Sequence, residues 1–211
     1  MKDNKIYKNI TEGTGLIDHY IYREIVYLLI KKLKLNVNPN IVTLFSLIYA
    51  ISSAFIILSG HVVIGSVMYM FFNIFDLMDG AIARIYRRKS TFGAFIDGLV
   101  DLIGESCVIL ALGVYFNVFT LSLAVLAYIL LTHYISIRKK WIYDSKELQK
   151  NMMDYTKKPF LFGILVITRN DFRKLIILYG AILNSWELIM SYFFILYSIS
   201  LINSLIGKNG E

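Results

Sequence analysis

The chain is poor in several things that soluble secreted domains rely on. Its 211 residues hold one cysteine, Cys107, so no intramolecular disulfide can form and cysteine usage says nothing about redox compartment. Cys107 sits inside an apolar run, where a small packing residue is the simplest reading. The residues before the first long apolar run, which starts at Ile41, lack the pattern of a cleavable secretory signal. No internal repeat or low-complexity tract stands out. Charged residues are only 18% of the chain, and none lies between Ile41 and Gly60. The net charge of +7 comes from Lys and Arg at the ends of apolar runs. That placement argues against nucleic acid and for anionic lipid headgroups or phosphate-bearing substrates.

What the chain has is apolar length. Hydrophobic residues make up 57% and aromatics 15%, with a mean hydropathy of +0.60, which is membrane-like. Residues 1–15 are polar. Residues 16–37 are interrupted too often by charge to cross a bilayer. An apolar stripe of Ile21, Ile25, Leu28 and Leu29 opposes Arg23, Glu24, Lys31, Lys32 and Lys34. This predicts an amphipathic helix, lying at the headgroups or packed on protein. Asn38-Pro39-Asn40 stops it and opens the next helix. Spans are expected at Ile41–Gly60, Val62–Tyr86, Phe92–Tyr115, Val118–Ile137 and Ser185–Ile206, with a fifth segment around Phe172–Leu183 that is short for a crossing. The expected fold is therefore all-α and integral to a membrane. Residues 38–206 form one domain of six transmembrane helices, preceded by an amphipathic interfacial helix and followed by a short tail, 207–211. Lys and Arg cluster in the amino-terminal region, after the second and fourth spans and at Lys208, which places both termini on the cytoplasmic side.

Within these spans lies an improbable polar constellation, D-L-M-D-G-A-I-A-R followed after eight residues by G-A-F-I-D-G-L-V-D. On a helix Asp76, Asp79, Gly80 and Ala83 share one face, and Gly93, Asp97 and Asp101 share another. Two such helices side by side would bring four carboxylates together toward the cytoplasmic ends of their spans. Carboxylates in a low-dielectric surround need a compensating cation, and all-oxygen ligands point to a hard divalent ion, Mg²⁺ first. Helix–helix hydrogen bonding could explain one or two of these aspartates. A cation transporter or channel is a further reading, but it requires polar residues through the outer halves of the spans, which here read M-Y-M-F-F and V-I-L-A-L. A purely structural subunit leaves the aspartates without a purpose.

The run resembles the signature of the CDP-alcohol phosphotransferase family, D-x2-D-G-x2-A-R-x8-G-x3-D-x3-D. Asp76, Asp79, Gly80, Ala83, Arg84, Gly93, Asp97 and Asp101 meet every fixed position. The resemblance implies transfer of a substituted phosphate from a CDP-alcohol to an acceptor hydroxyl, with release of CMP. It assigns Asp76, Asp79, Asp97 and Asp101 to a pair of Mg²⁺ or Mn²⁺ ions and Asp101 also to the role of general base. Gly80, Ala83, Arg84 and Gly93 would border the CDP-alcohol. Ser90 matches a family position that contacts this donor, and a helix N-cap explains it as well. Asn38-Pro39-Asn40-Ile41-Val42-Thr43 resembles the family's entry to its first span, which carries over Asn40 and Thr43. Local capping is the other explanation for those two. The resemblance also implies a homodimer.

Arg138, which follows Tyr134 in a pattern resembling relatives, and Arg169 and Arg173 in T-R-N-D-F-R-K are candidates for a phosphate on the acceptor. Plain positive-inside charge explains them equally. Arg23 before N-P-N-I-V-T, together with T-R-N-D-F-R, resembles the branch of di-myo-inositol phosphate phosphate synthases, whose donor is CDP-inositol. Glu105 matches an acidic position in that branch, whereas Leu102 stands where those relatives often carry arginine. Phospholipid synthases using CDP-diacylglycerol fit the same motif.

Overall fold

The computed structural model describes residues 22–33, 36–142 and 170–206. Seven α-helices and no strand occur among them: α1 Arg23–Leu33, α2 Pro39–Leu58, α3 Val62–Ile85, α4 Thr91–Tyr115, α5 Phe119–Ile142, α6 Asn170–Ile182 and α7 Trp186–Ile206. The all-helical expectation holds for these residues. Two helices, α2 and α3, are long and apolar enough to cross a membrane. Helix α4 is as long but carries Asp97, Asp101 and Glu105.

The surface of α2 identifies its solvent. Its buried side is small and polar, with Thr43, Ser46, Ala50, Ser53 and Ala54, while Leu44, Phe45, Ile48 and Phe55 point outward. A helix in water arranges itself the other way round. Small residues toward the neighbours and large apolar ones outward is the pattern of a helix packed in lipid, where close approach replaces hydrophobic burial. Helix α2 makes such an approach at Gly65. A Cβ there would stand 2.8 Å from the Ser53 carbonyl oxygen and 2.6 Å from Ile57 Cγ1. Ser53 Oγ donates to the Gly65 carbonyl at 2.7 Å, fastening α2 to α3. Helix α2 also packs along α4, so it is the central element of the amino-terminal half.

The helix ends share one construction. At the ends of α2, α3, α4 and α6 the second residue past the cap donates its N–H back to a carbonyl in the last turn: His61 to Ile56 at 3.1 Å, Arg88 to Ala83 at 2.8 Å, Val118 to Gly113 at 2.9 Å and Ser185 to Gly180 at 3.1 Å. This Schellman closure requires a left-handed residue just before the donor. Gly60, Arg87, Asn117 and Asn184 take it, with φ of 94°, 55°, 58° and 55°. At the other end of the helices, Asn38 caps α2 by accepting from the Asn40 N–H at 3.1 Å. Pro39 occupies the first turn, where its missing N–H is no loss.

Several expectations need correcting. The described helix in the 16–37 region is α1, Arg23–Leu33, and the side it turns to the protein is not that of Ile25 and Leu28. Tyr22, Val26, Tyr27 and Ile30 are buried against Val42, Ile74, Leu77, Met78, Ala81 and Ile82. Ile25 is exposed and Leu28 is 60% exposed; Leu29 is partly buried at the edge of the cluster. The sequence pattern weighed aliphatic residues and missed that two tyrosines would face the protein. Helix α5 does not stop at Ile137 but continues through Arg138, Lys139 and Lys140 to Ile142, since nothing in that run breaks a helix. Helix α6 has 13 residues, about 20 Å at the helical rise and short of the ~30 Å hydrocarbon core, as the sequence leads one to expect of the fifth segment. The remainder of the segment between α5 and α6 lies outside the described residues, as do residues 1–21 and 207–211.

The larger core gathers Ala50, Ile57, Tyr69, Phe72, Val108, Leu112, Val125, Ile177, Trp186, Met190 and Phe193 from α2 to α7. Cys107 packs at its margin, in keeping with a packing role. Trp186 Nε1 donates to Ser122 Oγ at 3.3 Å, linking α7 to α5 inside the bundle.

Candidate active site

The site is built where the first turns of α2 meet the last turns of α3 and the first turns of α4. Asp76 and Asp79 stand on α3 one turn apart, and Asp97 and Asp101 on α4. Asp79 is 3% exposed. It stands within electrostatic range of Asp76 on its own helix and of Asp97 on α4. The two halves of the sequence motif therefore converge. Asp76, Asp97 and Asp101 are each half-buried.

The third contributor is α2. Thr43, 4% exposed, donates its hydroxyl to Asp79 Oδ2 at 2.5 Å. The same Oγ1 lies 3.1 Å from the Pro39 carbonyl. A threonine hydroxyl has a single proton, so the shorter contact to the carboxylate takes most of it. One turn deeper, Ser46 Oγ donates to the Thr43 carbonyl at 2.6 Å. The entry to the first span thus fixes the orientation of a motif aspartate 36 residues away.

The motif's glycines let polar side chains pack directly against the helix backbones. The Arg84 guanidinium folds back over Gly80, with Nη1 3.2 Å from where a Cβ would be, which places a cation beside the motif and not out at the membrane surface. Gly93 is flanked by Ser90 Oγ and Asn40 Oδ1, 2.9 and 3.3 Å from its own absent Cβ. Ser90 is the N-cap of α4, its Oγ accepting from the Gly93 N–H at 2.9 Å. Ala83 is half-buried on α3, and its carbonyl closes the helix by accepting from Arg88. Arg138 lies in α5 and Arg173 in α6, but their side chains, and Arg169 altogether, lie outside the described residues.

Four residues near the motif lie outside its fixed positions, and of these only Glu105 is singled out by resemblance. Ser46, Asn73 and Glu105 are buried polar groups one turn deeper than Thr43, Asp76 and Asp101. Asn73 follows the α3 spacing i−3 from Asp76 and could have been found by it. The fourth, Arg87, is distinguished by its backbone, which composition does not reveal.

Among the described residues, no group of three or more His, Cys, Asp or Glu side chains is drawn together at metal-ligand spacing. The donor chemistry nevertheless fits a hard cation. Carboxylates from two helices stand within electrostatic range of one another, and Asp79 is almost fully buried among like charges, an arrangement that a divalent ion relieves.

A membrane-type helical bundle with an acidic centre at one end is the class these features define. Residues 36–197 match the CDP-alcohol phosphatidyltransferase family pattern, and the chain belongs to that family. It is 34% identical over 83 residues to an uncharacterized protein of Aquifex aeolicus (39% of this chain, 42% of that protein). It is 28% identical over 95 residues to CDP-diacylglycerol–inositol 3-phosphatidyltransferase 1 of Arabidopsis thaliana (45% and 41%). It is 34% identical over 74 residues to phosphatidylinositol phosphate synthase of Corynebacterium glutamicum (35% and 34%). The matched stretches span less than half the length of each of these relatives.

Proposed function

We propose that this chain transfers a substituted phosphate from a CDP-alcohol to an acceptor hydroxyl, releasing CMP and leaving a phosphodiester. The observation that carries this is the complete motif with its halves brought together, Asp76 and Asp79 on α3 within electrostatic range of Asp97 on α4. In the reaction a bond forms between the acceptor oxygen and the phosphorus bearing the alcohol. The bond from that phosphorus to the CMP oxygen breaks, and CMP leaves with the electron pair. Asp101 takes the acceptor's proton. Mg²⁺ or Mn²⁺, as a pair of ions held by Asp76, Asp79, Asp97 and Asp101, would supply neutralisation of the diphosphate and of the departing CMP. Thr43 holds Asp79 in one rotamer, which matters because a misplacement of about 1 Å can cost ~100-fold in rate. Gly80 and Gly93 let the donor approach the helix backbones, Arg84 pairs with phosphate oxygens, and Asn40 and Ser90 border the donor beside Gly93.

Further parts of the reading rest on charge placement and resemblance. The chain crosses the membrane six times with both termini and the site at the cytoplasmic side, and it works as a homodimer. The names of the two characterised relatives, an inositol phosphatidyltransferase and a phosphatidylinositol phosphate synthase, favour CDP-diacylglycerol as donor and an inositol or inositol phosphate as acceptor. Arg138, Arg169 and Arg173 are the candidates for the acceptor's phosphate. Arg23 and T-R-N-D-F-R favour a second donor, CDP-inositol. A cation path is disfavoured by the outer half of α4, whose buried residues are Val108, Ile109, Ala111, Leu112 and Gly113.

The test is CMP release by the purified protein with Mg²⁺, screening CDP-diacylglycerol and CDP-inositol against inositol, inositol phosphate, glycerol phosphate and serine. CMP release from CDP-diacylglycerol that depends on an inositol-type acceptor supports the reading. No CMP from any pair overturns it.

A further inference from the structure

Four helices end in the same closure, and three of the left-handed positions are filled by residues suited to it: Gly60, Asn117 and Asn184. The fourth is Arg87, with φ 55°. A long side chain with a Cβ is disfavoured there, whereas glycine and asparagine visit this region readily. The molecule's own turns show that the closure needs no arginine. A strained residue is kept only where something else favours it.

The neighbouring cations do not share this position. Arg88 donates from Nη1 to the Val37 carbonyl at 3.2 Å and lies 5.6 Å from the Tyr86 ring centre, so it ties the turn to the linker before α2. Arg87 is exposed, and its guanidinium makes no hydrogen bond, ion pair or ring contact with the described residues. Its place in the chain is the turn joining the two halves of the motif. Arg84, over Gly80, precedes it by one helical turn, and Ser90, against Gly93, follows it by three residues. A guanidinium with no partner among the described residues, in the turn that joins Arg84 to Ser90, has a natural ligand in a phosphate-bearing anion.

We propose that Arg87 is a phosphate-binding residue at the rim of the site, held in a strained turn for its guanidinium. The phosphate is that of the donor or of an anionic lipid headgroup beside it. This deepens the proposed function and depends on it for the choice of probe.

The test uses the full chain with Arg87→Gly, Arg87→Asn and Arg87→Lys, and with Lys32→Gln as a control for general loss of positive charge. Thermal midpoints and equilibrium binding of CDP-diacylglycerol are measured in phosphatidylcholine nanodiscs. Phosphatidylglycerol retained by protein purified from mixed-lipid micelles is measured by native mass spectrometry. Arg87→Gly and Arg87→Asn are expected to raise the midpoint by about 2–4 °C as the strain is released. The same variants are expected to weaken phosphate binding about two- to fivefold, as for an exposed charge pair. Arg87→Lys keeps most of the binding without the gain in midpoint. Weaker CDP-diacylglycerol binding identifies the donor as the source of the phosphate. Unchanged donor binding with lost phosphatidylglycerol identifies the headgroup. Wild-type binding of both by Arg87→Gly, or an equal loss in Lys32→Gln, overturns the inference. Because binding is read and not turnover, a wild-type protein that binds CDP-diacylglycerol but releases CMP from no donor–acceptor pair sinks the proposed reaction and leaves Arg87 in place.

Discussion

Thr43→Val removes one oxygen from the centre of the site and leaves the shape of the side chain nearly unchanged. The lost oxygen is Oγ1, which donates to Asp79 Oδ2 at 2.5 Å in surroundings where Thr43 and Asp79 are 4% and 3% exposed. A hydrogen bond to a charged group is worth about 1.5–3 kcal/mol, and removing the donor leaves the carboxylate to bear its burial. At about 2–4 °C per kcal/mol for a chain of this size, the thermal midpoint should fall by about 3–12 °C. If the whole bond is needed to hold Asp79 during reaction, kcat/KM falls by about 10- to 150-fold. The effect should appear as a higher Mg²⁺ requirement, because the residue disturbed is a proposed metal ligand. Thr43→Ser keeps the hydroxyl and should behave much like the wild type. The assay is CMP release across a Mg²⁺ titration, with midpoints measured on the same preparations. A Thr43→Val protein with an ordinary midpoint and unchanged Mg²⁺ dependence refutes the bond's importance. One with weaker donor binding but unchanged Mg²⁺ dependence instead makes Thr43 a direct donor contact.

Two further substitutions separate packing from chemistry. Gly65→Ala places a methyl 2.6 Å from Ile57 Cγ1 and 2.8 Å from the Ser53 carbonyl, so α2 and α3 must move apart; a loss of about 1–3 kcal/mol is expected by thermal or denaturant unfolding, and an unchanged midpoint would refute the close crossing. Ser90→Ala removes the N-cap of α4 and should destabilise by about 1 kcal/mol. Ser90→Asp keeps an N-cap acceptor but sets a negative charge beside the proposed donor site. If the serine does no more than cap α4, the Asp variant should recover both midpoint and CMP release; recovery of the midpoint alone assigns it to the donor.

The helices were readable because their ends are punctuated. Asn38-Pro39, Gly60-His61, Asn117 and Asn184 are stop and start signals, and α2, α3, α4 and α7 begin and end within a residue or two of the expected spans. The motif's periodicity placed Asp79 and Asp97 on facing helices, and the structure brings them into electrostatic range. Thr43 was legible as a family position, but its partner was not, since no local pattern connects residues on separate helices 36 positions apart. Helix α1 was legible as amphipathic, yet the face it buries was not, because tyrosine suits an interface as well as a core. Arg87 reads from sequence as one more cation at a helix exit. Only its φ, which it shares with the glycine and asparagines that close the other turns, sets it apart from the neighbouring cations.

The central claim is that the acidic cluster on α3 and α4 carries out phosphate transfer, with Asp101 receiving the acceptor's proton. The most direct measurement compares CMP release and CDP-alcohol binding in the wild type and Asp101→Asn, in the same lipid and with the same Mg²⁺. The account expects the variant to release essentially no CMP while still binding donor. Ordinary turnover by Asp101→Asn would contradict it.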